Sequence, residues 1–252
     1  MVVVNASDPI PAVVESDATG DIKNIFDDIK NVTGVDVVNL VWRHLATTQN
    51  ALPYLWGVLR PLYESGFINH QAVEFQNQLV LPKLPKFKDE ILLASGIDKL
   101  GKITINNILV SYNRTNTVNL IALQAALITL KGVKDVTLDQ THKKTTNDSL
   151  LPMPRLPAIS DLNPTIISLV QELNSLGEED GTIIASMYRH LAYWPNYLAL
   201  VKIALEPIAS SGELKRAIDK SREQSAEKAL SLSKFLAPFP PSISSACFYE
   251  IK

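Results

Sequence analysis

A single cysteine, Cys247, occurs in 252 residues. That excludes an internal disulfide framework, a CxxC redox pair and a thiolate zinc cluster. Apolar runs are short and interrupted, so no membrane span is expected. The opening Met-Val-Val-Val lacks the basic flank and long apolar core of a secretory leader, which makes a soluble cytoplasmic protein the expectation. Charge of either sign is not in excess: the formal net charge is −2, so no basic field points to nucleic acid. No βαβ pattern and no Gly-rich phosphate loop occur, and neither His44 nor His190 has a partner at HxxxH or HxxE spacing, so no metal site is expected.

What the chain does have is a repetition. Trp42-Arg43-His44-Leu45-Ala46 returns 146 positions later as Tyr188-Arg189-His190-Leu191-Ala192. The match continues without a gap through Asn50 and Asn196, Leu52 and Leu198, Leu59 and Leu205, Pro61 and Pro207, and Ser65-Gly66 and Ser211-Gly212. Ten of the 25 aligned positions (42–66 against 188–212) are identical. The period is too long for a solenoid unit. It reads as two copies of one helical unit packed as an internal pseudo-dimer. The expected division is a first repeat with an N-terminal arm over 1–131, a Pro-rich linker over 132–163, and a shortened second repeat over 164–252.

Apolar spacing is helical throughout, so the expected fold class is all-α. Helices are expected near 21–31, 35–47, 50–64, 72–79 and 86–95, with Pro61 kinking or ending the third. Two long helices, 97–112 and 117–130, are expected on either side of a polar break, Asn113-Arg114-Thr115-Asn116. In the second copy, helices are expected at 165–176, 180–193, 195–210 and 213–236. Hydrophobic residues make up 46% of the chain and charged residues 20%, enough apolar content for a real core.

The site is expected in the groove between the two copies, where the repeated helix appears twice. Arg43 and Arg189 offer planar forks suited to a carboxylate, or else lock each copy by pairing with an acidic residue. His44 and His190 are bases, or packed histidines bonded to backbone carbonyls. Trp42, Tyr188, Tyr193 and Trp194 wall an apolar pocket or belong to the core. Asn113 and Asn116 either cap the helix that starts at Thr117 or hold a water or a substrate oxygen.

Several stretches together carry a family resemblance. They are the Arg-His-Leu-Ala helices, Leu84-Pro85 with Lys88 and Glu90, Tyr112-Asn113-Arg114-Thr115-Asn116 with Asn119-Leu120-Ile121-Ala122-Leu123, Asp148-Ser149-Leu150-Leu151-Pro152, and Ala192-Tyr193-Trp194-Pro195. Over roughly residues 20–240 the chain resembles the cofactor-independent group I 2-haloacid dehalogenases, which act on D and L substrates and are related to the alkylhydroperoxidase D-like helical fold. The peroxidase chemistry of that wider group needs two cysteines, which this chain lacks. The resemblance implies an all-α pseudo-dimer that pairs into a homodimer, needs no cofactor, and acts on a small 2-substituted carboxylic acid. It implies a reaction in which an Asp activates a water that displaces halide from C2, while an Asn helps to hold the water.

Carried over, the Asn falls on Asn116 and the Asp falls on Met187. A thioether takes no proton at neutral pH, and loss of a positioned base typically costs ~10²–10⁴-fold in rate. Ser186 is adjacent and is no base alone. His190, one turn along the same helix, is the remaining candidate base, and Trp42, Arg43, Asn113, Ser186, Tyr188, Arg189 and Trp194 are the candidate substrate-binding residues. Two functions follow: a dehalogenase-type hydrolase, or a non-catalytic small-acid-binding or interaction protein on the same scaffold.

Overall fold

The computed structural model describes residues 10–132, 153–177 and 184–239. The expectations for the arm before residue 10, for residues 133–152 of the linker with the Asp148–Pro152 stretch, for the start of the helix expected at 180–193 and for Cys247 lie outside those residues. Among the described residues the regular structure is helical, with no strand. The α-helices are α1 (Gly20–Thr33), α2 (Leu40–Leu45), α3 (Ala51–Glu64), α4 (Phe67–Gln78), α5 (Asp89–Ala94), α6 (Lys99–Leu130), α7 (Pro164–Ser175), α8 (Ser186–Leu191), α9 (Pro195–Ser210) and α10 (Glu213–Ser233). No described helix is long and apolar enough to cross a membrane.

Local chemistry sets the ends of these elements. Pro164 and Pro195 occupy first-turn positions, where a missing N–H leaves no donor unsatisfied. Asn39, Asp98 and Asn163 cap α2, α6 and α7 by accepting first-turn backbone N–H groups on their side chains. The expected helix 35–47 starts only at Leu40. The β-branched Val35, Val37 and Val38 lose rotamer freedom in a helix and stay outside it, and Asn39 supplies the cap. Pro61 is followed by a single turn of α3.

The turn that ends the matched segment is built alike at both of its occurrences. Gly66 and Gly212 are left-handed, with φ of 72° and 74°. Ahead of each, a serine hydroxyl donates to a carbonyl of the finishing helix, Ser65 to Leu62 at 3.1 Å and Ser211 to Ile208 at 3.0 Å. Each serine Oγ then accepts from the N–H of the residue after the glycine.

The expected break at 113–116 is absent: α6 runs unbroken from Lys99 to Leu130. Polar side chains do not end a helix when their hydrogen bonds are met without unwinding it. Thr115 Oγ1 donates to Ser111 O and Thr117 Oγ1 to Asn113 O, both one turn back along the helix. Arg114 reaches the carbonyl of Thr33 on α1. No proline or glycine interrupts α6 after Gly101.

Two apolar cores lie along this helix. Ile105 and Ile108 pack with Val170, Leu173, Leu191 and Leu198 of α7–α9. Val118, Ile121, Ala122, Ala125 and Ala126 pack with α1–α4 and with Ala229 and Leu232 of α10. The polar stretch 113–116 falls between the two cores, at the seam.

Candidate functional site

A cavity of about 570 Å³ opens at that seam. Its described lining comes mainly from the segment before α2, from α2 itself, from the middle of α6 and from the start of α8, with further residues from α1, α3, α4, positions 10–11, Met153 and Leu156. Asn116 and Met187, far apart in sequence, line this one cavity. So do Trp42, Arg43, Ser186 and His190. Asn113, Tyr188, Arg189 and Trp194 are not in the described lining.

Each of those four is placed elsewhere. The carbonyl of Asn113 accepts from Gln76 Nε2 at 3.0 Å, which ties α6 to α4. Tyr188 and Trp194 pack against the second core, where the indole nitrogen of Trp194 sits over Gly101. Arg189 is 4% exposed and donates to the carbonyl of Pro157 at 2.8 Å. Trp42 belongs to both settings: its ring packs edge-on against Trp56 and Tyr63 while it also walls the cavity.

The Arg-His pairs hold extended, proline-containing straps. His190 Nε2 lies 2.7 Å from Pro154 O and His44 Nδ1 lies 2.7 Å from Pro11 O. Val13 N donates to Arg43 O, and the Tyr193 hydroxyl donates to Arg155 O. Of the two histidine roles open in the sequence, the bond to a backbone carbonyl is observed for both His44 and His190.

His190 is a poor base as it stands. It is 1% exposed, and burial is the main influence holding its pKa below the ordinary value of 6.5. The nearby Arg189 charge adds to this, while the bond to the Pro154 carbonyl opposes it. A carbonyl only accepts, so Nε2 carries the proton and Nδ1 of the neutral ring has the lone pair. The Tyr112 hydroxyl, 2.7 Å away, donates to that lone pair. Burial pushes the Tyr112 pKa well above its usual value. Met187 is part-buried against the second core and offers no proton acceptor.

The two asparagines that face the cavity are oriented by their neighbours. Trp42 Nε1 can only donate, so the Asn119 atom 3.3 Å from it is Oδ1. Tyr63 Oη donates to the same oxygen at 2.8 Å. Asn39 is oriented by the Val41 N–H that its Oδ1 caps, so its Nδ2 donates to Asn116 Oδ1 at 3.1 Å. Asn119 Oδ1 thereby accepts two hydrogen bonds and Asn116 Oδ1 one. The NH₂ groups of Asn116 and Asn119 make no hydrogen bond among the described residues. Two cationic side chains, Arg43 and Arg114, share the lining, and no Asp or Glu does among the described residues.

Sequence reasoning missed Asn119, Tyr112 and Asn39 as lining residues. The signal was available: Tyr112, Asn116 and Asn119 stand at i, i+4 and i+7, one face of a continuous helix. Reading 113–116 as a break hid that stripe.

No protein-family model and no curated protein sequence matches the chain. Solved structures do. A D-2-haloacid dehalogenase mutant in complex with D-2-CPA superimposes with a TM-score of 0.75 at 17% identity, over 99% of this chain and 88% of that one. A further D-2-haloacid dehalogenase mutant gives 0.72 at 16% identity, and a D-2-haloacid dehalogenase in complex with L-LA gives 0.71 at 17%, with the same coverage. At such identities the likeness is one of fold: the chain has an all-helical scaffold similar to that of the D-2-haloacid dehalogenases.

Proposed function

We propose that the seam cavity binds a small 2-substituted carboxylic acid, and that the chain does so without a built-in base for hydrolysis. The observation that carries this reading is the polarity of the wall. Asn116 and Asn119 each accept on Oδ1 from a neighbouring donor, which leaves their N–H groups as the donors for a ligand, and Arg43 and Arg114 belong to the same lining. Such a wall favours an anion, since a hydrogen bond to a charged group contributes ~1.5–3 kcal/mol against ~1 for a neutral one.

Tandem copies sharing one seam fit the same reading. The matched turns at Gly66 and Gly212 support duplication, with the pseudo-twofold axis near the middle of α6. Hydrolytic dehalogenation is the second reading, supported by the fold likeness to D-2-haloacid dehalogenases. It requires a proton acceptor where Met187 stands.

One calorimetric experiment with chloride detection tests both. The full chain is titrated with 2-chloropropionate and with 2-chloropropionamide, which is uncharged. The binding reading expects the acid to bind at least tenfold more tightly than the amide, with no chloride released above a boiled control. Equal affinities would remove the anion site, and steady chloride release would favour the hydrolase.

A further inference from the structure

We propose that the strap over residues 79–88, between α4 and α5, is a docking surface that lays the chain on an anionic lipid bilayer. The contact is peripheral, and it does not depend on which ligand enters the seam cavity.

The strap is extended for reasons of sequence. Pro82 and Pro85 fix their own φ and push Leu81 and Leu84 out of the helical region. Both ends are extended as well: Leu79 has φ −67° and ψ 128°, and Lys88 has φ −70° and ψ 155°. These angles lie near those of a polyproline helix, which is solvated along its backbone and holds side chains away from one another. The far end is anchored by Phe87, whose ring packs edge-on against Tyr197 of α9 with centroids 6.1 Å apart.

What the strap exposes is apolar and basic in alternation. Val80 is 86% exposed, Leu81 65% and Leu84 50%. Lys83, Lys86 and Lys88 are exposed, and their side chains make no ion pair or hydrogen bond with the described residues. No Asp or Glu occurs from Leu79 to Lys88, although the chain as a whole carries a net charge of −2. Just past the strap, Asp89 pairs with Lys102, which sets the start of α5 beside the first turn of α6. Leu93 and Leu100 are exposed there too. More than half of the large apolar side chains exposed among the described residues fall within 80–103, and such a concentration marks an interaction surface.

Charge and exposure choose between partners. A second copy seated face to face on the strap would set lysine against lysine. A groove that reads polyproline takes prolines into its slots, but Pro82 is part-buried, and the residues presented most fully are Val80 and Leu81. An anionic bilayer meets both features: its headgroups attract the lysines and its interface takes up the aliphatic side chains. The two signals act together, as stable peripheral binding requires.

The test is co-sedimentation of the full chain with vesicles of phosphatidylglycerol and phosphatidylcholine in equal parts, against vesicles of phosphatidylcholine alone. At low salt the native chain is expected to bind the anionic vesicles at least ~10-fold more tightly, since each lysine at such a surface contributes about fivefold. High salt is expected to remove most of that preference. The charge reversal Lys83→Glu with Lys86→Glu is expected to abolish it, and Leu81→Ser with Leu84→Ser to weaken binding several-fold. All four positions are exposed, so both variants should keep the native circular dichroism spectrum. No binding to anionic vesicles, equal binding to both kinds, or binding that survives in both variants overturns the proposal. Sedimentation velocity without lipid supplies a further check: self-association of the native chain that is lost in the leucine variant would assign the strap to a second copy and also overturn it.

Discussion

The hydroxyl of Tyr63 donates to Oδ1 of Asn119 across 2.8 Å, from α3 to the middle of α6. Trp42 donates to the same oxygen. An asparagine held this way cannot flip without setting a donor against a donor, so its Oδ1 stays with Trp42 and Tyr63 and its NH₂ group is turned from them. A core contact between two buried residues thus fixes the orientation of an amide in the cavity lining.

Replacing Asn119 by Asp keeps an oxygen for Trp42 and Tyr63 and puts a negative charge where the N–H donor stood. Carboxylate affinity at pH 7 is expected to fall at least tenfold in Asn119→Asp, read by calorimetric titration, while the fold persists by circular dichroism. Unchanged affinity would mean that the amide does not meet the ligand.

Met187→Asp introduces the carboxylate that the dehalogenase resemblance places there, in the cavity shared with Asn116. A positioned base typically contributes ~10²–10⁴-fold. Chloride release from 2-chloropropionate is expected to rise above the native level in this variant. If the native chain already releases chloride and the variant releases less, another group is the base.

Acid should loosen the seam through His190. Its folded pKa lies below the ordinary 6.5, chiefly because of burial. The unfolded chain therefore binds a proton that the folded chain resists. The stability from this group is complete above about pH 6.5 and is lost as the pH falls below it. The melting temperature is expected to drop on acidification through that range, and to drop less steeply in His190→Gln. Equal slopes in the two proteins would count against a buried neutral imidazole.

Gly101 sits in the first turn of α6, where its N–H donates to the Asp98 cap at 2.7 Å. A Cβ there would come within 2.9 Å of Trp194 Nε1. Gly101→Ala is therefore expected to destabilise the chain by about 1–3 kcal/mol despite the better helix propensity of Ala, measured by denaturant unfolding. A gain in stability would show that the Trp194 ring moves aside freely.

Much of the architecture could be read from residue order. The repeat placed Gly66 and Gly212 at equivalent turns, the helices expected at 165–176 and 195–210 match α7 and α9 to within a residue, and the all-helical class followed from spacing. The convergence of Asn116 and Met187 on one cavity followed from the family resemblance. The seam itself was hidden for a physical reason. Asn113 to Asn116 looks like a break because such side chains compete for backbone hydrogen bonds, yet here Arg114, Thr115 and Asn116 are satisfied by Thr33, α6's own turn and Asn39. Nor could local sequence show that Arg189 and His190 hold a strap more than 30 residues away, a contact made only by tertiary folding.

The side-chain amide signals of Asn119, observed by ¹⁵N–¹H NMR and assigned by their loss in Asn119→Asp, report on the site most directly. Titration with a 2-substituted carboxylate should move these two proton resonances downfield in a saturable way, and the matching uncharged amide should leave them in place. Signals that stay fixed while the carboxylate binds elsewhere on the protein would contradict an anion site at the seam.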